Sequence, residues 1–188
     1  MTTTHERPKG NTGGAGWRFA RWFYRFFIVS TILGFGLTAL GLWLTGIRIG
    51  LDVQRLIGEP ACMPSFVYLW KPGMTHEPKV GDYVLARMPK TSLGVGAREG
   101  DRIVKKVAAI SGDSVRIEGT ELWINEKHSD RLWLAKSIPG KKPGDFDVDF
   151  KLQEGQMFLM GTTKESFDSR YWGAVNREAF LGYAIPLF

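Results

Sequence analysis

The chain has 188 residues, with 25 Lys and Arg against 19 Asp and Glu, 12 Phe, 7 Trp, 5 Tyr, three His and a single Cys. This is enough for one domain of ordinary size and too little for two. It excludes an intrachain disulfide framework and offers no CxxC or HExxH ligand set for zinc, so no cofactor is expected. The net charge of +6 sits mostly in the first 25 residues, where Arg7, Lys9, Arg18, Arg21 and Arg25 face Glu6 alone. The body carries no basic stripe of the kind that tracks phosphates, and a nucleic-acid partner is not expected.

Residues 1–16, MTTTHERPKGNTGGAG, are polar and glycine-rich and read as a tail within a basic cytoplasmic segment, 1–25. From Phe26 to Ile47 there are 22 residues without a charge. A helix of that length reaches ~33 Å, enough to cross the hydrocarbon core of a bilayer. Trp17, Phe19, Trp22, Phe23 and Tyr24 crowd its entry, where amphipathic rings settle at the headgroup level. Five cations before the span against Arg48 and Arg55 after it point the N-terminus to the cytoplasm and the body to the periplasm of a bacterial inner membrane. The run is too long for the apolar region of a cleaved secretory signal.

From about Leu51 the pattern changes to short β-branched and aromatic runs bounded by turn residues. Tyr83–Met88, Arg102–Ile110, Ser114–Ile117, Glu121–Ile124 and Gln156–Met160 read as strands. Turns are expected at Gly81-Asp82, Gly100-Asp101, Gly112-Asp113 and Glu118-Gly119-Thr120. The segment 48–188 is therefore read as mainly β, with an inserted surface loop or hairpin at about 133–155, where Pro, Gly and charge accumulate. His76 and His128 lie in polar, loop-like contexts, and neither a G-x-S-x-G elbow nor a P-loop occurs.

The remaining chemistry is lysine-based. Ala61-Cys62-Met63-Pro64 sets a small nucleophile beside a proline about fifteen residues past the membrane exit. Then follow Val80-Gly81-Asp82-Tyr83-Val84, the run Arg102 to Ile110 holding Lys105-Lys106 and closing in Ser111-Gly112-Asp113, and the block Gly161-Thr162-Thr163-Lys164-Glu165-Ser166-Phe167-Asp168-Ser169-Arg170-Tyr171-Trp172-Gly173. This order of blocks, over roughly 58–185, resembles the signal peptidase I family. The short nucleophile-x-Pro spacing, with Tyr68 four residues after Pro64, looks like its conjugative-transfer branch of TraF or TrhF type.

The resemblance implies a coiled β catalytic domain behind one N-terminal transmembrane helix, without cofactor, that cleaves translocated preproteins. Residue by residue it implies Cys62 as nucleophile, Lys105 as general base, Ser166 as the hydroxyl that holds the lysine amine, and Asp168 with Arg170 as a supporting ion pair. Pro64 supports the nucleophile turn, and the Cys62 N–H is an oxyanion donor. In the branch named, the implied substrate is a pro-pilin, with head-to-tail cyclisation as a further step. The bilayer and the preprotein are the expected partners.

Four positions depart from the family pattern. Cysteine replaces the usual serine at 62, Pro60 stands where a serine adds a side-chain oxyanion donor, and Gly161-Thr162-Thr163 stands for Gly-Asp-Asn. The cysteine is chemically sensible. An ordinary thiol titrates about two units below an ordinary lysine amine, which favours a thiolate–ammonium pair by about 2.6 kcal/mol before desolvation acts. Acyl transfer through a thioester then leaves the second attack open to water or to a peptide amine.

Blander readings remain beside these. A lone cysteine is most often a small buried hydrophobe, and Lys105 could be one exposed rung of an alternating strand. Phe66, Tyr68, Leu69 and Trp70 form an apolar lip that suits core, cleft or membrane contact. Val84 and its strand would pair with an extended substrate if their edge is open. A lapsed, membrane-anchored assembly module of a transfer apparatus and a general housekeeping signal peptidase are the alternative functions.

Overall fold

The structure, a computed structural model, describes residues 14–52, 58, 61–94 and 98–187. It divides into a helical unit ending at Thr45 and a β unit beginning at Gly46. The helix, α1, runs Gly14–Thr45. Beyond Arg25 it is apolar on every side, with Phe35, Trp43 and Leu44 all more than two-thirds exposed, and a helical stretch without a polar face needs an apolar surrounding. From Trp17 to Thr45 it is long and apolar enough to cross a bilayer. Its hydroxyls are made compatible with that setting locally. Thr31, Thr38 and Thr45 donate to the carbonyls of Phe27, Gly34 and Gly41 one turn back, at 2.8, 2.9 and 3.1 Å.

The helix begins earlier than the apolar count suggests, because the basic and aromatic residues 17–25 contain no helix breaker and continue the same spiral. The basic segment expected as a tail is thus helical from Gly14, and the rest of the expected tail lies outside the described residues. The other end comes at Thr45, two residues before Ile47, because Gly46, with a φ of 70° that favours glycine, stops the helix.

Among its described residues the β unit has eleven strands: β1 Arg48–Leu51, β2 Val67–Pro72, β3 Tyr83–Arg87, β4 Arg102–Ile110, β5 Ser114–Glu118, β6 Glu121–Ile124, β7 Lys127–Arg131, β8 Val148–Lys151, β9 Gln156–Met160, β10 Val175–Asn176 and β11 Phe180–Pro186. A short helix, α2, spans Ser169–Trp172. Seven strands form one sheet in the order β1-β2-β11-β3-β4-β9-β10, and four form a second in the order β7-β6-β5-β8. Every pairing is antiparallel.

The five strands expected from sequence are all present, within a residue or so of their expected ends. The Gly-Asp pairs between them work through the carboxylate. Asp82, Asp101 and Asp113 each accept from the N–H three residues earlier, of Lys79, Arg98 and Ile110, at 2.9, 2.8 and 2.9 Å. These aspartates are turn-makers. His128 lies in β7 rather than in a loop and bonds Glu121 at 2.8 Å on the exposed side.

Two expectations are corrected. The stretch 133–155 is not a bare surface loop: Ala135, Ile138, Phe146 and Leu152 are buried in one cluster with Val115, Ile117 and Leu122 of the second sheet, and β8 lies within it. Its Pro and Gly punctuate tight turns that bring those apolar residues inward. The strand of Val84 has no open edge, since β3 pairs with β11 on one side and β4 on the other, so it cannot accept an added strand.

Candidate active site

Lys105 owes its position to strand alternation. In β4 Lys105 and Val107 share one face, at 2 and 1% exposure, while Lys106 between them is exposed; a bulge after Val107 turns Ala109 to the other face, into a different cluster. Lys105 is therefore not an exposed rung. A lysine drawn inward needs a partner, and Lys105 Nζ donates to Ser166 Oγ at 2.8 Å, with both residues buried. The indole of Trp172 also faces the amine, its centroid 5.8 Å from Nζ.

Ser166 follows β9 in a tight turn, its N–H donating to Thr163 O at 3.3 Å. The turn is packed against the Cys62 segment with no room to spare. A Cβ on Gly161 would stand 1.9 Å from Ser166 Oγ and 2.6 Å from Cys62 O, so only glycine fits between them. Thr162 N–H donates to Cys62 O at 3.0 Å, and Thr163 Oγ1 donates to Ala61 O at 2.7 Å. Cys62 itself is half-buried and free of any disulfide, against a small cluster of Met63, Tyr68 and Ala184. Pro64, two residues on, is exposed.

Behind this contact lies the ion pair. Arg170 and Asp168 have no side-chain exposure, and Arg170 reaches Asp168 through Nε at 2.8 Å and Nη2 at 2.6 Å. This two-point geometry is that of a strong guanidinium–carboxylate pair. Asp168 also accepts from Gly161 N–H at 2.8 Å and caps α2 through Arg170 N–H at 3.2 Å. Arg170 continues to Asp130 at 2.8 Å and to Arg131 O at 3.0 Å. Burial works against the Arg170 charge, but hydrogen bonding to Asp168 and the charges of Asp168 and Asp130 more than offset it and raise the guanidinium above its ordinary value. The pair thus ties the Gly161 turn to the second sheet.

The residues singled out in the sequence fall into one neighbourhood of the β unit. Lys105 and Ser166 touch, Ser166 and the Cys62 carbonyl flank Gly161, and Asp168 and Arg170 brace the same turn. Sequence reasoning missed Asp130, Ser169 and Trp172. Asp130 pairs across 40 positions and lies in a charged run with nothing to distinguish it. Ser169 accepts from Leu159 N–H at 3.0 Å and from Trp172 Nε1 at 3.2 Å, fastening α2 to β9. An open cleft of about 390 Å³ lined by Met74, Glu77, Met157 and Arg177 lies at the opposite end of β9 and includes none of these groups.

Chemically, a buried amine held by a hydroxyl beside a thiol-bearing turn suits nucleophilic acyl transfer with lysine as proton acceptor. The chain is similar to several known proteins. Probable signal peptidase I-2 of Synechocystis sp. is 32% identical over 89 residues, 47% of this chain and 38% of that protein. Probable signal peptidase I-1 of the same organism is 24% identical over 60% of this chain and 56% of its own length. Probable thylakoidal processing peptidase 2 of Arabidopsis thaliana is 22% identical over 75% of this chain and 41% of its own. The chain thus spans between about two fifths and just over half of these relatives. A crystal structure of a signal peptidase I from Enterococcus faecalis aligns over 58% of this chain and 98% of its own at 23% identity, with a TM-score of 0.37. The family model described as Signal peptidase, peptidase S26, matches residues 20–188, nearly the whole chain, and the chain belongs to that family.

Proposed function

We propose that the protein is a membrane-anchored endopeptidase in which Cys62 is the nucleophile and Lys105 the general base. The observation that carries this reading is the buried Lys105 amine on Ser166 Oγ, across Gly161 from the Cys62 carbonyl. Lys105 takes the proton from Cys62 Sγ, and sulfur adds to the scissile carbonyl carbon while the C=O electron pair moves to oxygen. The Cys62 N–H receives that oxyanion. Collapse expels the new amine, which leaves with the proton held on Lys105, and a Cys62 thioester remains. Water then attacks the thioester, or a peptide amine does so to close a ring; the neutral Lys105 takes the proton of the attacking group and returns it to the sulfur as the sulfur leaves. Ser166 orients the amine throughout, and Asp168 and Arg170 hold the turn that carries Ser166.

The substrate of this reading is an exported preprotein, in particular the pro-pilin of a conjugative transfer system, met at the outer face of the inner membrane by a chain whose N-terminus stays in the cytoplasm. The short Cys-x-Pro spacing and Tyr68 support the pilin assignment. Coexpression with candidate pro-pilins and with a generic preprotein, read by intact mass, tests it. Shortened or cyclised pilin alone is the expected result. Cleavage of both substrates makes the protein a general signal peptidase, and cleavage of neither makes it an assembly module. Cys62→Ala and Lys105→Met are each expected to lower cleavage at least a thousand-fold with the fold retained, and a thiol alkylator to do the same. Full activity in Cys62→Ala removes the thiol from the mechanism.

A further inference from the structure

Two consecutive residues after β9 hold two consecutive carbonyls of the Cys62 segment. Thr162 uses its backbone N–H, on Cys62 O, and would do so with almost any side chain. Thr163 uses its hydroxyl, on Ala61 O at 2.7 Å, across 102 positions of chain. The Ala61 carbonyl and the Cys62 N–H belong to one planar trans peptide and point in opposite directions. Whatever holds the oxygen therefore aims the N–H. A hydrogen bond accepted by the carbonyl also polarises the amide and strengthens its N–H as a donor.

Resting on the reading of Cys62 as nucleophile, we propose that Thr163 is a positioning residue whose hydroxyl aims and strengthens the Cys62 N–H that receives the oxyanion. Pro60 has neither an N–H nor a side-chain donor to contribute, so more of the charge developing on the carbonyl oxygen falls on the Cys62 N–H. Thr163 acts on it through the peptide plane and does not touch substrate.

The test uses the full chain in detergent with a preprotein-derived peptide, a peptide aldehyde whose addition to Cys62 creates the same oxyanion, and iodoacetamide, whose reaction with sulfur creates none. Thr163→Val is expected to lower kcat about ten-fold with KM within two-fold. It should weaken the aldehyde by a similar factor and leave the alkylation rate of Cys62 within two-fold. Thr163→Ser, which keeps the hydroxyl, should restore most of the loss. Thr163→Ala removes the donor without a branched replacement and gives the same readings if valine disturbs the fold. Wild-type kcat and aldehyde affinity in Thr163→Val, with Cys62→Ala dead, overturn the proposal while leaving the nucleophile assignment intact. Equal losses in alkylation and in kcat overturn it too, since they mean that the whole Cys62 turn has moved. Full activity in Cys62→Ala overturns both.

Discussion

The Arg170 guanidinium is fully removed from water, and its two carboxylate partners are what make that burial tolerable. Asp168→Asn leaves a buried charge against a neutral amide and is expected to cost about 3–5 kcal/mol, a fall of roughly 10 °C or more in the melting midpoint by calorimetry. Asp130→Asn should cost less, because Asp130 is a third exposed. Tyr68 presents the opposite case. Its hydroxyl is buried with no hydrogen-bond partner among the described residues, Ser65 lying close enough to ease its ionisation without forming a well-shaped bond. Burial raises the phenols of Tyr68 and Tyr171 above their ordinary value. A group so raised gives its full stabilisation below the unfolded value near 10 and loses it as pH rises from there toward the folded value. Tyr68→Phe, which forfeits no hydrogen bond, should therefore match wild type in urea midpoint at pH 8 and exceed it at pH 10.5.

At the level of elements, β4 and β9 set the site. Lys105 faces inward because it shares a face with Val107 and with its cross-strand partner Val84, and the last residue of β9 delivers the chain to Gly161 at the point where Asp168 accepts its N–H. The segment 133–155 belongs to the same framework. Phe146 packs edge-on against Tyr171 of α2, with ring centroids 5.5 Å apart, and Tyr171 Oη accepts from Leu134 N–H at 2.8 Å. Phe146→Ala should cost about 3–5 kcal/mol in a denaturant titration, where a surface loop residue would cost almost nothing. Because α2 carries Arg170, the same variant is expected to lower cleavage activity as well as stability.

For the whole molecule, the chain divides into a helical unit and a β unit, and the buried clusters described above lie in the β unit. A chain starting at Gly46 is expected to keep the melting midpoint of the full protein within a few degrees. On the proposed function it should cleave a short soluble peptide at a similar kcat/KM. Against a preprotein embedded in vesicles its rate should fall ten-fold or more, because the anchor supplies a local concentration that free diffusion does not. Equal rates on vesicles would show that the anchor has no part in presenting the enzyme to substrate.

Much of this was legible from residue order. The charge-free run, the Gly-Asp turns and the alternation in Arg102–Ile110 are local signals, read within a window of a few residues, and the structure carries an element at each. The blocks around Cys62, Lys105 and Ser166 were legible as a set through their family resemblance. Other features were not. The stretch 133–155 looked like a loop because its Pro, Gly and charge dominate composition, whereas four well-spaced apolar residues decide its burial. The bonds from Asp130 to Arg170 and from Thr163 to Ala61 join residues 40 and 102 positions apart. By itself the sequence determined an apolar helix, a mainly β body and the residue types available for chemistry, since each depends on neighbours along the chain. The tertiary structure alone decided that Lys105 is buried on Ser166, that Gly161 leaves no space between Ser166 and Cys62, and that Thr163 grips the peptide before the thiol. Those depend on packing between distant segments, which no local pattern encodes.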